Sequence, residues 1–129
     1  MNRWPDDYEQ VECWIGDRVI DLRNSAYFAG FTYHSSAENR RTVVVEFDLV
    51  EGLGGRIDEE LCRVQLRFVG VSAFQVEEVV DEFVEELGRD LDHWDYFEGE
   101  HGRGVIEFEA GGMRLSFTAL EVALRLVAN

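Results

Sequence analysis

The stretch from Gly104 to Phe117 carries its own pairing instructions. Gly111-Gly112 lies between two runs, Gly104–Ala110 and Met113 onward, that alternate apolar and polar residues. Two glycines tolerate the positive φ values that a two-residue hairpin loop needs at both positions. Pairing around that loop sets Phe108 opposite Leu115 and Ile106 opposite Phe117 on one face. On the other face it sets Glu109 opposite Arg114. An apolar face backed by an opposite-charge pair favours this register over a one-residue slip, which would turn every side chain to the wrong side. A chain holding such a hairpin must bury one side of a sheet.

The same period of two recurs upstream. In residues 61–69, Cys62, Val64, Leu66 and Phe68 point one way and Arg63, Gln65 and Arg67 the other. Residues 41–50 place Val43, Val45, Phe47 and Leu49 on one face, and residues 26–34 group Tyr27, Phe31 and Tyr33. Leu91–Glu98 and residues 18–22 are further strands, and residues 51–56, rich in glycine, are a loop. Alternation with one polar face marks a half-buried antiparallel sheet. The apolar phase shifts at Ala119-Leu120, after which Leu120, Val122, Leu124 and Leu126 alternate. A bulge, or a strand buried on both faces, accounts for the shift.

Two segments predict helices. Pro5 at a first helical position, Asp6 and Asp7 at the positive end of the dipole, and Gly16 as a stop suggest a short helix over about 5–15. Ser72 and Gln75 form a capping box at the head of a helix over about 73–87. Val76, Val79, Val80, Phe83, Val84 and Leu87 form its apolar stripe, and Gly88 ends it.

Charge narrows the function classes. The formal net charge is −15, with 27 acids against 12 cations, all of them arginine. Such an excess repels nucleic-acid phosphates and anionic lipids, so neither nucleic acid nor a membrane surface is expected as a partner. A basic protein is the expected one. No apolar run approaches the roughly 20 residues of a membrane span. The N-terminal residues lack the apolar core of a secretory leader, and Cys13 and Cys62 make no disulfide framework, so a cytoplasmic setting is expected.

Two acidic segments are candidate partner-binding sites. Glu77, Glu78, Asp81, Glu82, Glu85 and Glu86 would line half the circumference of the second helix. Their like-charge i,i+4 pairs would each cost that helix about 0.2–0.5 kcal/mol, a penalty that binding a cationic surface would relieve. The alternative is a solvated, screened face. Residues 90–101 interleave acids with aromatics, and Asp92, Trp94, Asp95 and Glu98 are the expected contacts; the alternative is an edge strand with its aromatics in the core. His93 and His101 near Asp95 and Glu98 match no zinc or EF-hand spacing. Glu107 and Glu109 read as surface partners of Arg114 rather than an acid/base pair, and both cysteines read as core residues. No phosphate-binding loop, dinucleotide fingerprint or nucleophile elbow is present, and no catalytic residue, metal or cofactor is assigned.

Four stretches carry a family likeness: Trp14-Ile15-Gly16, Ser25-Ala26-Tyr27-Phe28, residues 64–71 (Val64 to Val71) and residues 108–117 (Phe108 to Phe117). In that order the chain resembles small bacterial immunity-type proteins of polymorphic toxin systems and related domains. The resemblance implies neutralisation of a toxin by direct binding and points to no individual residue.

The resulting expectation is a single α+β domain over residues 1–129. One antiparallel sheet of about six strands would carry the amphipathic helix, with the short helix at the N-terminus. Its function would be non-enzymatic binding of a basic protein such as a toxin domain. Two other readings compete. One is a small-ligand pocket or active site between helix and sheet, lined by Trp14, Tyr33, Trp94 and Tyr96; the other is a structural homo-oligomer joined through strand edges.

Overall fold

Period two governs more of the chain than its local signals suggest. The computed structural model describes residues 12–15, 18–23, 26–35, 41–49, 63–78 and 91–127. These residues form the strands β1 (Glu12–Ile15), β2 (Arg18–Asp21), β3 (Ala26–His34), β4 (Thr42–Leu49) and β5 (Arg63–Val69). Then come β6 (Ser72–Glu78), β7 (Leu91–Glu98), β8 (Gly104–Ala110), β9 (Met113–Ala119) and β10 (Glu121–Val127). The only helical turn among the described residues is a 3-10 turn at Glu100–Gly102.

The α+β expectation is therefore overturned: apart from that turn, the regular structure of the described residues is all β. Two four-stranded antiparallel sheets, ordered β10-β5-β4-β3 and β6-β9-β8-β7, replace the single sheet, and β1 and β2 form a hairpin beside β10. Glu12–Ile15, expected at the end of the first helix, pairs instead with residues 18–21 in the register Cys13 to Ile20 and Trp14 to Val19. Gly16-Asp17 between two short apolar runs is a hairpin signal, and it outweighs the helix-stop reading of Gly16. Ser72–Glu78, expected as the first turns of the second helix, is a strand paired with β9. Three forces favour that outcome. Phe74 packs on Tyr33, Phe31 and Phe117; Glu77 meets Arg114; and a helix would carry the like-charge penalties noted above. The remainder of both expected helices, residues 5–11 and 79–87, lies outside the described residues, as do the 51–56 loop and Cys62.

The hairpin register read from the sequence is the observed one: Ile106 faces Phe117, Phe108 faces Leu115 and Glu109 faces Arg114. Val43, Val45, Phe47, Val64, Leu66 and Phe68 are buried, as alternation requires. Strand β3 departs from the simple pattern. A bulge between Phe28 and Gly30 shifts its phase, so Phe28, Phe31 and Tyr33 pack against the core while Tyr27 is exposed. A bulge adds one unpaired residue and flips the faces on either side of it.

The two sheets share two bent strands. β5 runs into β6 through Gly70 and Val71, and β9 runs into β10 through Leu120. β5 pairs with β10 and β6 with β9, so one two-stranded ribbon turns the corner between the sheets. Sandwich corners are made by strands that switch sheets through bends or bulges, which explains the phase shift at Ala119-Leu120. Gly70 turns with φ near +73°. Across from it, the Leu120 N–H donates to the Val69 carbonyl at 2.9 Å. Arg103 braces the bend by donating from Nη1 to Ser72 Oγ at 3.1 Å and to the Gly70 carbonyl at 3.3 Å.

The core fills the space between the inner faces. Phe68 meets Phe117 edge-on at 5.0 Å, Phe28 meets Phe108 at 6.3 Å, and Tyr33 stacks on Phe74 at 4.4 Å. Each of these contacts joins one sheet to the other. Burying side chains of this size stabilises the fold by roughly 1.5–3 kcal/mol each.

Candidate protein-binding face

Inward alternation leaves an outward set on every strand, and the two outer faces differ in charge. Across β6-β9-β8-β7 the register aligns three rows. Glu77, Arg114 and Glu109 make the first, which continues to the Cα of His93. Gln75, Ser116, Glu107 and Asp95 make the second. Ser72, Thr118, Val105 and Phe97 make the third.

In the first row Arg114 sits between two carboxylates. Its Nε donates to Glu109 Oε1 at 2.7 Å and its Nη1 to Glu77 Oε2 at 3.4 Å, and Nη2 closes a second contact with Glu109. The hydrogen bond to Glu109, and then that carboxylate's charge, raise the guanidinium above its usual pKa; Glu77 and Glu107 add to the effect. The second row sets Asp95 directly across from Glu107, two like charges on neighbouring strands. Like charges in that arrangement cost a sheet stability. The third row ends in an apolar pair, Phe97 opposite Val105, and Phe97 is 58% exposed.

The outer face of β10-β5-β4-β3 is balanced. Arg63 donates from Nε to Asp48 at 2.8 Å and from Nη1 to Glu46 at 2.9 Å. Its pKa is raised first by the Asp48 hydrogen bond and then by that to Glu46. Arg125 donates to Gln65 Oε1 at 2.6 Å. With Arg67 and Glu121, that face carries three arginines against three acids, a formal sum of zero. Glu77, Asp95, Glu107 and Glu109 against Arg114, and Arg103 at Ser72, give the described residues of the other face −2.

Comparison with known protein families, curated proteins and solved structures finds no match for this chain. The face must be read from its own chemistry.

The residues expected as partner contacts fare unequally. Glu77 and Asp95 are exposed on the acidic outer face. Glu78, next to Glu77, takes the opposite side of the strand, so the two do not share the ridge that a helix would give them. Glu98 is exposed at the end of β7, on the side of the strand opposite Asp95 and Phe97. Trp94 is wholly buried and stacks on Phe108 at 5.1 Å, so it is a core residue. Asp92 belongs to β7, but its side chain, like Asp81, Glu82, Glu85 and Glu86, lies outside the described residues.

Phe97, Glu107, Glu109 and Arg114 join the face although none was expected there as a contact. The signal for Phe97 is in the sequence: alternation along β7 turns Trp94 and Tyr96 inward and Asp95 and Phe97 outward. Of the residues expected to line a pocket between helix and sheet, Trp94 is sealed in the core and Tyr33 is stacked on Phe74, and no helix stands over either sheet among the described residues. Among the described residues no three His, Cys, Asp or Glu side chains converge as metal ligands, and no helix is long and apolar enough to cross a membrane.

Proposed function

We propose that this chain is a non-enzymatic binding domain whose partner is a basic protein, engaged through the outer face of β6-β9-β8-β7. The observation that carries the reading is the unequal distribution of formal charge: the described outward residues of one sheet sum to zero and those of the other remain net negative. A surface of one sign speeds encounter with its opposite and rejects like-charged competitors. Phe97 beside the carboxylates adds an aromatic anchor, the residue class that dominates contact energy at interfaces. A toxin domain is the form of basic partner that the likeness to immunity-type proteins implies, and neutralisation would follow from steric cover of its active surface.

The test is capture of the basic domain of a candidate toxin in biolayer interferometry at graded salt. The pair Asp95→Asn and Glu107→Gln removes two negative charges from the acidic face. The pair Thr32→Lys and Ala123→Lys adds two positive charges to the other outer face. Both variants shift net charge by the same amount. The first pair should slow association and flatten its salt dependence, while the second leaves the rates near those of the unmodified protein. Equal effects from both pairs would show that only bulk charge matters and would remove this face from the interface.

A further inference from the structure

We propose that the outer edge of β3 is a self-association site, where two copies of this chain pair antiparallel about Thr32. The acidic docking face lies on the other sheet, so the two readings stand or fall separately. Three observations lead to the inference. First, β3 ends its sheet and pairs with β4 on one side, and no described strand takes the other. Such an edge is a row of N–H and C=O groups ready for a further strand. Second, natural edges are guarded by charge, and β3 has none. Ala26–His34 is the longest described strand and the one without Asp, Glu or Arg, in a chain where 30% of residues are charged. The edge strands β6 and β7 carry Glu77 and Glu78, and Asp95 and Glu98, and β10 has the β1-β2 hairpin beside it. Third, core-facing side chains on this flank of the sandwich are incompletely covered. Phe31 and Tyr33 are half-buried where they pack on Phe74, and Val76, which shares the inner face with Leu115, is 40% exposed.

Charge and symmetry select a second copy as the occupant. A chain of net charge −15 repels its own copies wherever acids meet, so a contact between copies belongs where charge is absent. The bulge between Phe28 and Gly30 interrupts the first half of β3, while the register from Gly30 to His34 is unbroken. That segment is self-complementary. A two-fold axis at Thr32 sets Phe31 opposite Tyr33 of the second copy and Gly30 opposite His34, with no like charges opposed. The two rings lie on the core side and cover each other's exposed flank. So short a paired segment makes a small contact, and the dimer is weak and reversible.

The experiment is sedimentation equilibrium of the full chain at low and high salt, over concentrations up to about 1 mM. The mass should rise from that of the 14.9 kDa chain toward twice that value, and more readily at high salt, which screens the net repulsion. Thr32→Lys and Thr32→Asp each set like charges against each other at the axis and should weaken association about two- to fivefold. Mixed one to one, the two variants should regain at least the affinity of the unmodified protein, because the axis then holds opposite charges. Net charge alone gives a different pattern, in which Thr32→Lys strengthens association. Thr32 is exposed, so both variants should keep the circular dichroism of the unmodified protein. Should either unfold, amide exchange of the unmodified protein decides, since protection from Phe31 to His34 should rise with concentration. A monomer throughout, a stronger Thr32→Lys dimer, a mixture no tighter than its components, or exchange independent of concentration would overturn the inference.

Discussion

Replacing Gly70 by alanine probes the corner on which both sheets depend. Gly70 occupies the left-handed region with φ near +73°. An L-residue pays about 1–2 kcal/mol there. An added Cβ would also lie 2.7 Å from Leu120 Cδ1, 2.8 Å from Cγ and 3.1 Å from Cβ. The tip of Leu120 can swing away, because that side chain is 43% exposed. Its Cβ cannot, because the Leu120 N–H is tied to the Val69 carbonyl. Residual crowding should therefore cost roughly 1 kcal/mol, near the low end for overpacking. Against this stands a gain of about 0.4–1 kcal/mol from the reduced freedom of the unfolded chain. The net expectation for Gly70→Ala is a loss of about 1–2.5 kcal/mol, read as a lower urea midpoint at unchanged slope. Truncating the neighbour removes the crowding but not the backbone strain. In a Leu120→Ala background the same substitution should cost only about 0.5–1.5 kcal/mol, and the difference is the coupling between the positions. Gly30, with φ near +149° and nothing within 4 Å of its added Cβ, provides a control that should show no coupling to Leu120. A neutral Gly70→Ala, or equal costs in the two backgrounds, would refute the account of the corner.

Two further outcomes follow from the same geometry. Trp94→Ala should cost about 3–5 kcal/mol in chemical denaturation while Phe97→Ala stays within about 0.5 kcal/mol, since one ring of β7 is sealed in the core and the other faces water; similar costs would refute the assigned faces. Hydrogen bonds to Asp48 and then to Glu46 raise the Arg63 guanidinium above its ordinary pKa, so these ion pairs contribute fully below the usual arginine range and are lost only as pH climbs beyond it. The difference in thermal midpoint between the unmodified protein and Arg63→Gln should therefore stay flat from about pH 7 to pH 10, and a steady decline over that range would contradict the assignment.

The strands that could be read from the sequence are those whose two faces each carry a message. β5 alternates valine, leucine and phenylalanine with arginine and glutamine, and β8 and β9 agree on both faces of their hairpin. The segment after Ser72 carries two messages in conflict. Its capping box and valine spacing suit a helix, while Phe74 and Glu77 suit a strand. The conflict is decided by Phe31, Tyr33, Arg114 and Phe117, which are distant in sequence and cannot be weighed locally. The phase shift at Ala119-Leu120 was visible, but its meaning was not. A bulge, a doubly buried strand and a crossing between sheets all produce it, and only the pairing of β5 with β10 and of β6 with β9 distinguishes them. The acidic character of the face is plain from composition. Its members are not, because the 90–101 segment interleaves acids with aromatics and suits either a binding segment or an edge strand, and only the pairing of β7 with β8 divides Trp94 from Asp95 and Phe97.

The bent ribbon has a consequence for how the protein reaches its native state. Val69 pairs with Glu121 at one side of the bend, and Ser72 pairs with Thr118 at the other. A slip of one residue on either side would propagate through the bend and misalign both halves of the sandwich together. Neither half can therefore be assembled, mutated or excised as a unit of its own, and joining partners about fifty residues apart along the chain should make that joint assembly the slow step of folding.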